Sequence, residues 1–228
     1  VDGVYVQPYF PEPVEVPDNV AQGPFRERLT FIKKMHVAYG LSILVVILFC
    51  HLVPPFFGPW PTLAAMVASL VMLSVTRNFS GGGKRDAYSS LALMIVFLPA
   101  LGQTLGFAQR SGFPVWIVWV GLGLAVLYAG VSGRDYSYGG QYVLVALVLL
   151  LMTIGLVWFT AMPWFLVAEG LLAFLVYFAF VSYNLSCIMR RRTKDEVVAA
   201  TADLYRDVLN FITWFGRVYQ HWKRFRFI

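Results

Sequence analysis

The chain has 228 residues, 59% of them hydrophobic and only 13% charged, with a net charge of +6. A soluble domain carries about a quarter charged residues, and a mean hydropathy of +0.68 lies well above that class. The composition excludes a soluble domain and points to apolar helices in a bilayer, where every backbone polar group must be satisfied within its own segment.

Residues 1–24 form a Pro-rich, acidic arm, with Pro8, Pro11, Pro13, Pro17 and Pro24 beside Glu12, Glu15 and Asp18. Such a segment buries too little apolar surface to fold alone. It is expected to be extended and to offer a contact for protein partners. The chain starts at Val1, and its first 30 residues lack the apolar core of a signal peptide. A leader removed before Val1 suits a mitochondrial or secretory precursor. Phe25 to Lys34 is a basic amphipathic lead-in with Arg26, Arg28, Lys33 and Lys34. The arm and lead-in (1–34) precede a membrane domain expected over 35–219, and a basic tail follows at 220–228.

No Asp, Glu, Lys or Arg lies between Lys34 and Arg77. That run holds a first crossing at 35–53, a turn made by Pro54, Pro55, Gly58, Pro59 and Pro61, and a second crossing at 62–77. The loop Asn78–Asp86 contains Gly81-Gly82-Gly83 without the Lys-Ser/Thr of a phosphate loop, so it reads as a turn. A third crossing at 87–108 carries Pro99, a kink position, and Gly102 and Gly106, a small-residue face for close helix contact. The fourth spans 114–132, the fifth 139–160 and the sixth 163–189, stopped by Arg190, Arg191, Arg192 and Lys194. The charge-free runs that hold these crossings are each long enough to cross a hydrocarbon core, which takes about 20 helical residues. With the N-terminus inside, the basic clusters fall on one side and only Arg110 lies in an outside loop between helices one and six. They serve as orientation signals rather than a nucleic-acid site, and they put the N-terminus in the cytoplasm or the mitochondrial matrix.

The seventh segment, 196–219, is apolar but carries Asp203, Arg206, Asp207 and Arg217. A lipid-facing helix would not hold them, since each charge costs about 2.5–3.5 kcal/mol near mid-bilayer on insertion scales. The expected fold is therefore an all-α membrane protein of about seven transmembrane helices, the polar seventh at the centre. Its basic tail falls outside if that helix crosses fully; a re-entrant or half-crossing helix relieves the conflict.

Glu169, Asp203 and Asp207 are the acids in the interior of the expected membrane segments; Glu196 is the first residue of the seventh. Asp203 and Asp207 are four apart and share a face if the helix continues. Two carboxylates that close cannot both ionise freely: they share a proton or take a cation between them. Asp207, Asp203 and the membrane-embedded Asn184 form the candidate ion or proton site, with Glu169 and Arg206 as accessory groups. A polar network pinning the helix is the competing role. His36 and His51 read as interfacial polar tips. Cys50 and Cys187 lie in apolar helices and read as small hydrophobes, not a disulfide or a metal cluster. No nucleophile–base constellation, HExxH or CxxC occurs, so the chain is read as a non-enzyme with no cofactor or bound metal.

The stretch Phe180-Val-Ser-Tyr-Asn184-Leu-Ser, then a short charged loop, then Ala202-Asp203-Leu204-Tyr205-Arg206-Asp207-Val208-Leu209-Asn210, resembles the transmembrane Bax inhibitor motif family. There a Tyr-Asp-Thr-Gln-like motif ends helix six, and a Leu-Tyr-x-Asp-x-x-Asn-x-Phe motif lies in helix seven; here Phe211 follows Asn210 directly. Phe31-Ile-Lys-Lys-Met-His-Val-Ala-Tyr39, Ser90-Leu-Ala-Leu-Met-Ile-Val-Phe97, Leu105-Gly-Phe107 and Arg134-Asp135-Tyr-Ser-Tyr-Gly-Gly140 resemble further family segments, so the likeness covers about 25–220. The resemblance implies a seven-helix fold with a central seventh helix, a pH-sensitive calcium leak and protection against cell death. The implied gate is a pair of aspartates on helices six and seven. The second maps onto Asp207, the first onto Asn184, a departure, and the family's helix-two acid has no counterpart because no Asp or Glu occurs from Gly40 to Lys84. Two functions stay open: a degenerate calcium or cation leak, with Ca2+ as the transported ion, or a non-conducting accessory subunit of a larger membrane complex. The membrane is that of the mitochondrial inner membrane or the endoplasmic reticulum.

Overall fold

The computed structural model describes residues 16–80, 83–113, 115–131, 133, 184–185 and 187–207, with a few isolated positions over 151–159. Five α-helices are defined among them: α1 Phe25–His51, α2 Pro59–Ser80, α3 Gly83–Arg110, α4 Val115–Val131 and α5 Val197–Arg206, preceded by a 3-10 turn at Val20–Gln22. No strand occurs among the described residues. The expected fifth crossing, nearly all of the sixth, the part of the seventh beyond 207, the arm 1–15 and the tail 220–228 lie outside the described residues.

The helices α1, Pro59–Thr76 of α2, and α3 are each long and apolar enough to cross a membrane. Burial gives a second, independent reason to read them so. Along α1, Ile32, Met35, Tyr39, Ile43, Val46 and Cys50 are buried, whereas Val37, Leu41, Leu44 and Leu48 are exposed. Both sets follow helical spacing, so one face packs on protein and the opposite face is equally apolar. In α3 the pattern is inverted relative to a soluble helix: Asp86, Ser90 and Gln103 are buried while Leu91, Ile95 and Val96 are exposed. Polar groups inside and branched aliphatics outside is what a hydrocarbon solvent selects. The described region is that of an integral membrane protein.

The helix boundaries differ from the expected ones for physical reasons. The basic lead-in is the start of α1 itself, since nothing between Phe25 and Lys34 breaks a helix. The turn of helices two and three is shorter than Asn78–Asp86: α2 runs to Ser80 and α3 begins at Gly83. Gly83 takes a left-handed φ of 66°, which glycine tolerates, and its N–H donates to Glu196 Oε1 at 2.7 Å, giving the helix N-terminus an acceptor. The helix α3 continues through Pro99. A Cβ at Gly102 would lie 2.5 Å from the Val46 carbonyl oxygen, and one at Gly106 would lie 2.9 Å from that of Cys50. The two glycines therefore let the α1 backbone pass against α3. Gln103 holds the connection after α1, donating from Nε2 to Pro54 O at 3.1 Å and accepting from Phe56 N at 3.3 Å.

The chain forms two compact units by its contacts: one takes the described residues of Val1–Phe31, Gly133–Lys194 and Asp207–Ile228, the other those of Ile32–Ser132 and Asp195–Arg206.

Candidate functional site

In the second unit, α5 is buried along Ala199–Arg206. Tyr205 lies between α1 and α3: its hydroxyl shares a 2.5 Å hydrogen bond with Ser42 Oγ, and its ring packs on Tyr39 and Phe97 with centroids 5.3 and 5.4 Å away. One residue on, the Arg206 side chain is only 1% exposed. A guanidinium that deep needs all its donors directed. Its Nε donates to the Leu73 carbonyl of α2 at 2.6 Å, and Nη1 to Asp203 Oδ1 of its own helix at 3.0 Å. Its Nη2 donates to Asp86 Oδ1 at 3.1 Å and Ser90 Oγ at 2.5 Å, both on α3. The Ser90 hydroxyl in turn donates to Asp86 Oδ1 at 3.4 Å. One side chain thus ties α2, α3 and α5 together, and the planar fork of arginine suits that task better than a point charge.

In the first unit, Asp207, just past α5, is met by a different arginine. Arg191 Nη2 donates to Asp207 Oδ2 at 2.7 Å and to Asn184 Oδ1 at 3.4 Å, while Nε donates to Cys187 O at 3.3 Å. The Asp207 side chain is 4% exposed, but that of Arg191 is 20% exposed. This ion pair has one partly exposed partner, unlike the buried one around Arg206. Asn184 is buried, and its Nδ2 has no hydrogen-bond acceptor among the described residues.

No family model, curated protein or solved structure matches the chain. The residues picked from the sequence divide between two arginine-centred clusters. Asp203 belongs with Arg206, and Asp207 and Asn184 belong with Arg191. Glu169 lies outside the described residues. The α-helix is defined over Val197–Arg206, and Asp207 follows it.

Three groups escape the sequence reading. Asp86 falls in what reads as a polar loop after Lys84 and Arg85, yet it is 0% exposed in the first turn of α3. An acid in a first helical turn is the one local signal available, since the helix dipole favours it there. Arg191 reads as one of several basic stop residues, and the Leu73 carbonyl has no sequence signature at all. The expectation for His36 as an interfacial tip is corrected: it is buried, with Nδ1 donating to the Ile32 carbonyl at 2.8 Å. His51 accepts at Nε2 from Trp119 Nε1 at 2.9 Å in an exposed position. No group of three His, Cys, Asp or Glu side chains that could hold a metal occurs among the described residues.

Proposed function

We propose that this chain is a Bax-inhibitor-motif-like integral membrane protein of seven crossings, in which Asp207 is a cation site held shut by Arg191. The observation that carries the reading is the difference between the two arginine clusters. Arg206 is sealed, directed at four acceptors on three helices, and serves as a structural clamp. The Arg191 side chain is 20% exposed and bonds Asp207 at 2.7 Å; in this reading a competing cation takes the carboxylate when the guanidinium swings away. An internal cation on the carboxylate is a closed state: a passing Ca2+ must replace it. Asn184 lends a carbonyl oxygen beside the carboxylate, a ligand type that calcium accepts. The N-terminus is assigned to the cytoplasmic or matrix side from the basic clusters, in the inner mitochondrial membrane or the endoplasmic reticulum.

A non-conducting accessory subunit is the second reading. It is favoured by Asn184 standing where the resemblance implies an acid. Calcium flux from proteoliposomes separates the two. A pH-dependent flux in the wild type that is lost in Asp207→Asn supports the leak. Absence of flux in the wild type, with flux appearing in Asn184→Asp, supports the accessory role.

A further inference from the structure

The residues before α1 approach the end of the helical stretch 187–191 through their backbone. Val16 N donates to the Arg190 carbonyl at 3.1 Å, and Val20 N donates to the Arg192 carbonyl at 2.9 Å. These two carbonyls flank Arg191, the residue that holds Asp207. The last carbonyls of a helix lack intrahelical donors and take partners from elsewhere. Here the partners come from a distant part of the chain.

That donor pair is itself prearranged. Asn19 is buried, donates from Nδ2 to Val16 O at 2.9 Å and accepts at Oδ1 from Gln22 N at 3.2 Å. Asp18 turns the chain with a left-handed φ of 55°, a conformation Asp visits more readily than most residues. Val20 is buried at 4% exposure. A buried side-chain brace therefore fixes the spacing between the two N–H groups that grip either side of Arg191.

We propose that residues 16–20 form an autoinhibitory strap: by holding the carbonyls of Arg190 and Arg192, they keep the Arg191 guanidinium seated on Asp207. Withdrawing the strap frees the backbone on both sides of Arg191 and lets the ion pair open. The consequence for cation passage rests on Asp207 being the cation site; the mechanical coupling does not.

The test removes one donor. Val20→Pro deletes the N–H that reaches Arg192, and Asn19, at ψ 160°, already has the extended backbone a following proline requires. Val20→Ala keeps the N–H and loses only the side chain. The reporter is maleimide labelling of the buried Cys187, one turn before Arg191, in a Cys50→Ser background. Losing one such hydrogen bond raises local opening about fivefold. Labelling of Cys187 is expected to rise by about that factor in Val20→Pro and less in Val20→Ala, with Cys50 labelling, read in a Cys187→Ser background, unchanged. Equal labelling of Cys187 in wild type and Val20→Pro would overturn the strap, and so would a parallel rise at Cys50. Faster Cys187 labelling with higher calcium flux supports both strap and cation site. Faster labelling without flux upholds the strap and rejects the cation site.

Discussion

Replacing Arg206 with Met keeps the apolar stem and deletes the guanidinium. Asp86 and Asp203, both 0% exposed, then stand without that cation, and the Leu73 carbonyl loses its donor. Breaking a buried pair by removing one partner costs about 3–5 kcal/mol. Taking about 4 kcal/mol, the folding equilibrium shifts roughly a thousandfold. Neutralising the two acids as well, in Arg206→Met with Asp86→Asn and Asp203→Asn, removes the charges that Arg206 balances and is expected to recover at least half of that loss. Unfolding the protein in micelles with increasing SDS, followed by far-ultraviolet circular dichroism, measures both. The clamp is refuted if Arg206→Met unfolds within about 1 kcal/mol of wild type, or if the triple variant is no more stable than the single one.

The same unfolding assay reads three further expectations. Gly102→Val forces a side chain into a space where even a Cβ would lie 2.5 Å from the Val46 carbonyl oxygen, so it should destabilise by about 1–3 kcal/mol or more, whereas Gly123→Ala, with nothing within 4 Å, should be neutral or stabilising by up to about 1 kcal/mol. Tyr205→Phe keeps the ring contacts to Tyr39 and Phe97 and loses the bond to Ser42, for a cost of about 1 kcal/mol. Gly83→Ala meets no atom within 4 Å but must hold φ at 66°, so backbone strain alone should cost about 1–2 kcal/mol.

The membrane class and the helices α1 to α4 are legible in the sequence because long charge-free runs have one physical explanation. The polar chemistry is legible only in part. Asp203 and Arg206 stand out as charges in an apolar segment, and their burial follows from the cost of exposing them to lipid. Their partner Asp86 does not stand out, because it is 120 residues from Arg206 and sits beside Lys84 and Arg85, where an acid looks solvated. The same limit applies to Asp207. Its spacing from Asp203 suggests a shared helix face, and nothing in that spacing points to its partner Arg191. Arg191 is hidden for a different reason: in a run of three arginines, nothing in the sequence marks the one that bonds Asp207.

Asp207 as an arginine-latched cation site is tested most directly by calcium flux through Arg191→Gln in proteoliposomes. Glutamine removes the charge-assisted bond from Arg191 to Asp207, so flux should exceed wild type by about an order of magnitude or more, as expected when such a bond of about 1.5–3 kcal/mol is lost. Adding Asp207→Asn to that variant should abolish the gain. Flux that is the same in Arg191→Gln as in wild type, or a gain that survives Asp207→Asn, would contradict the latch.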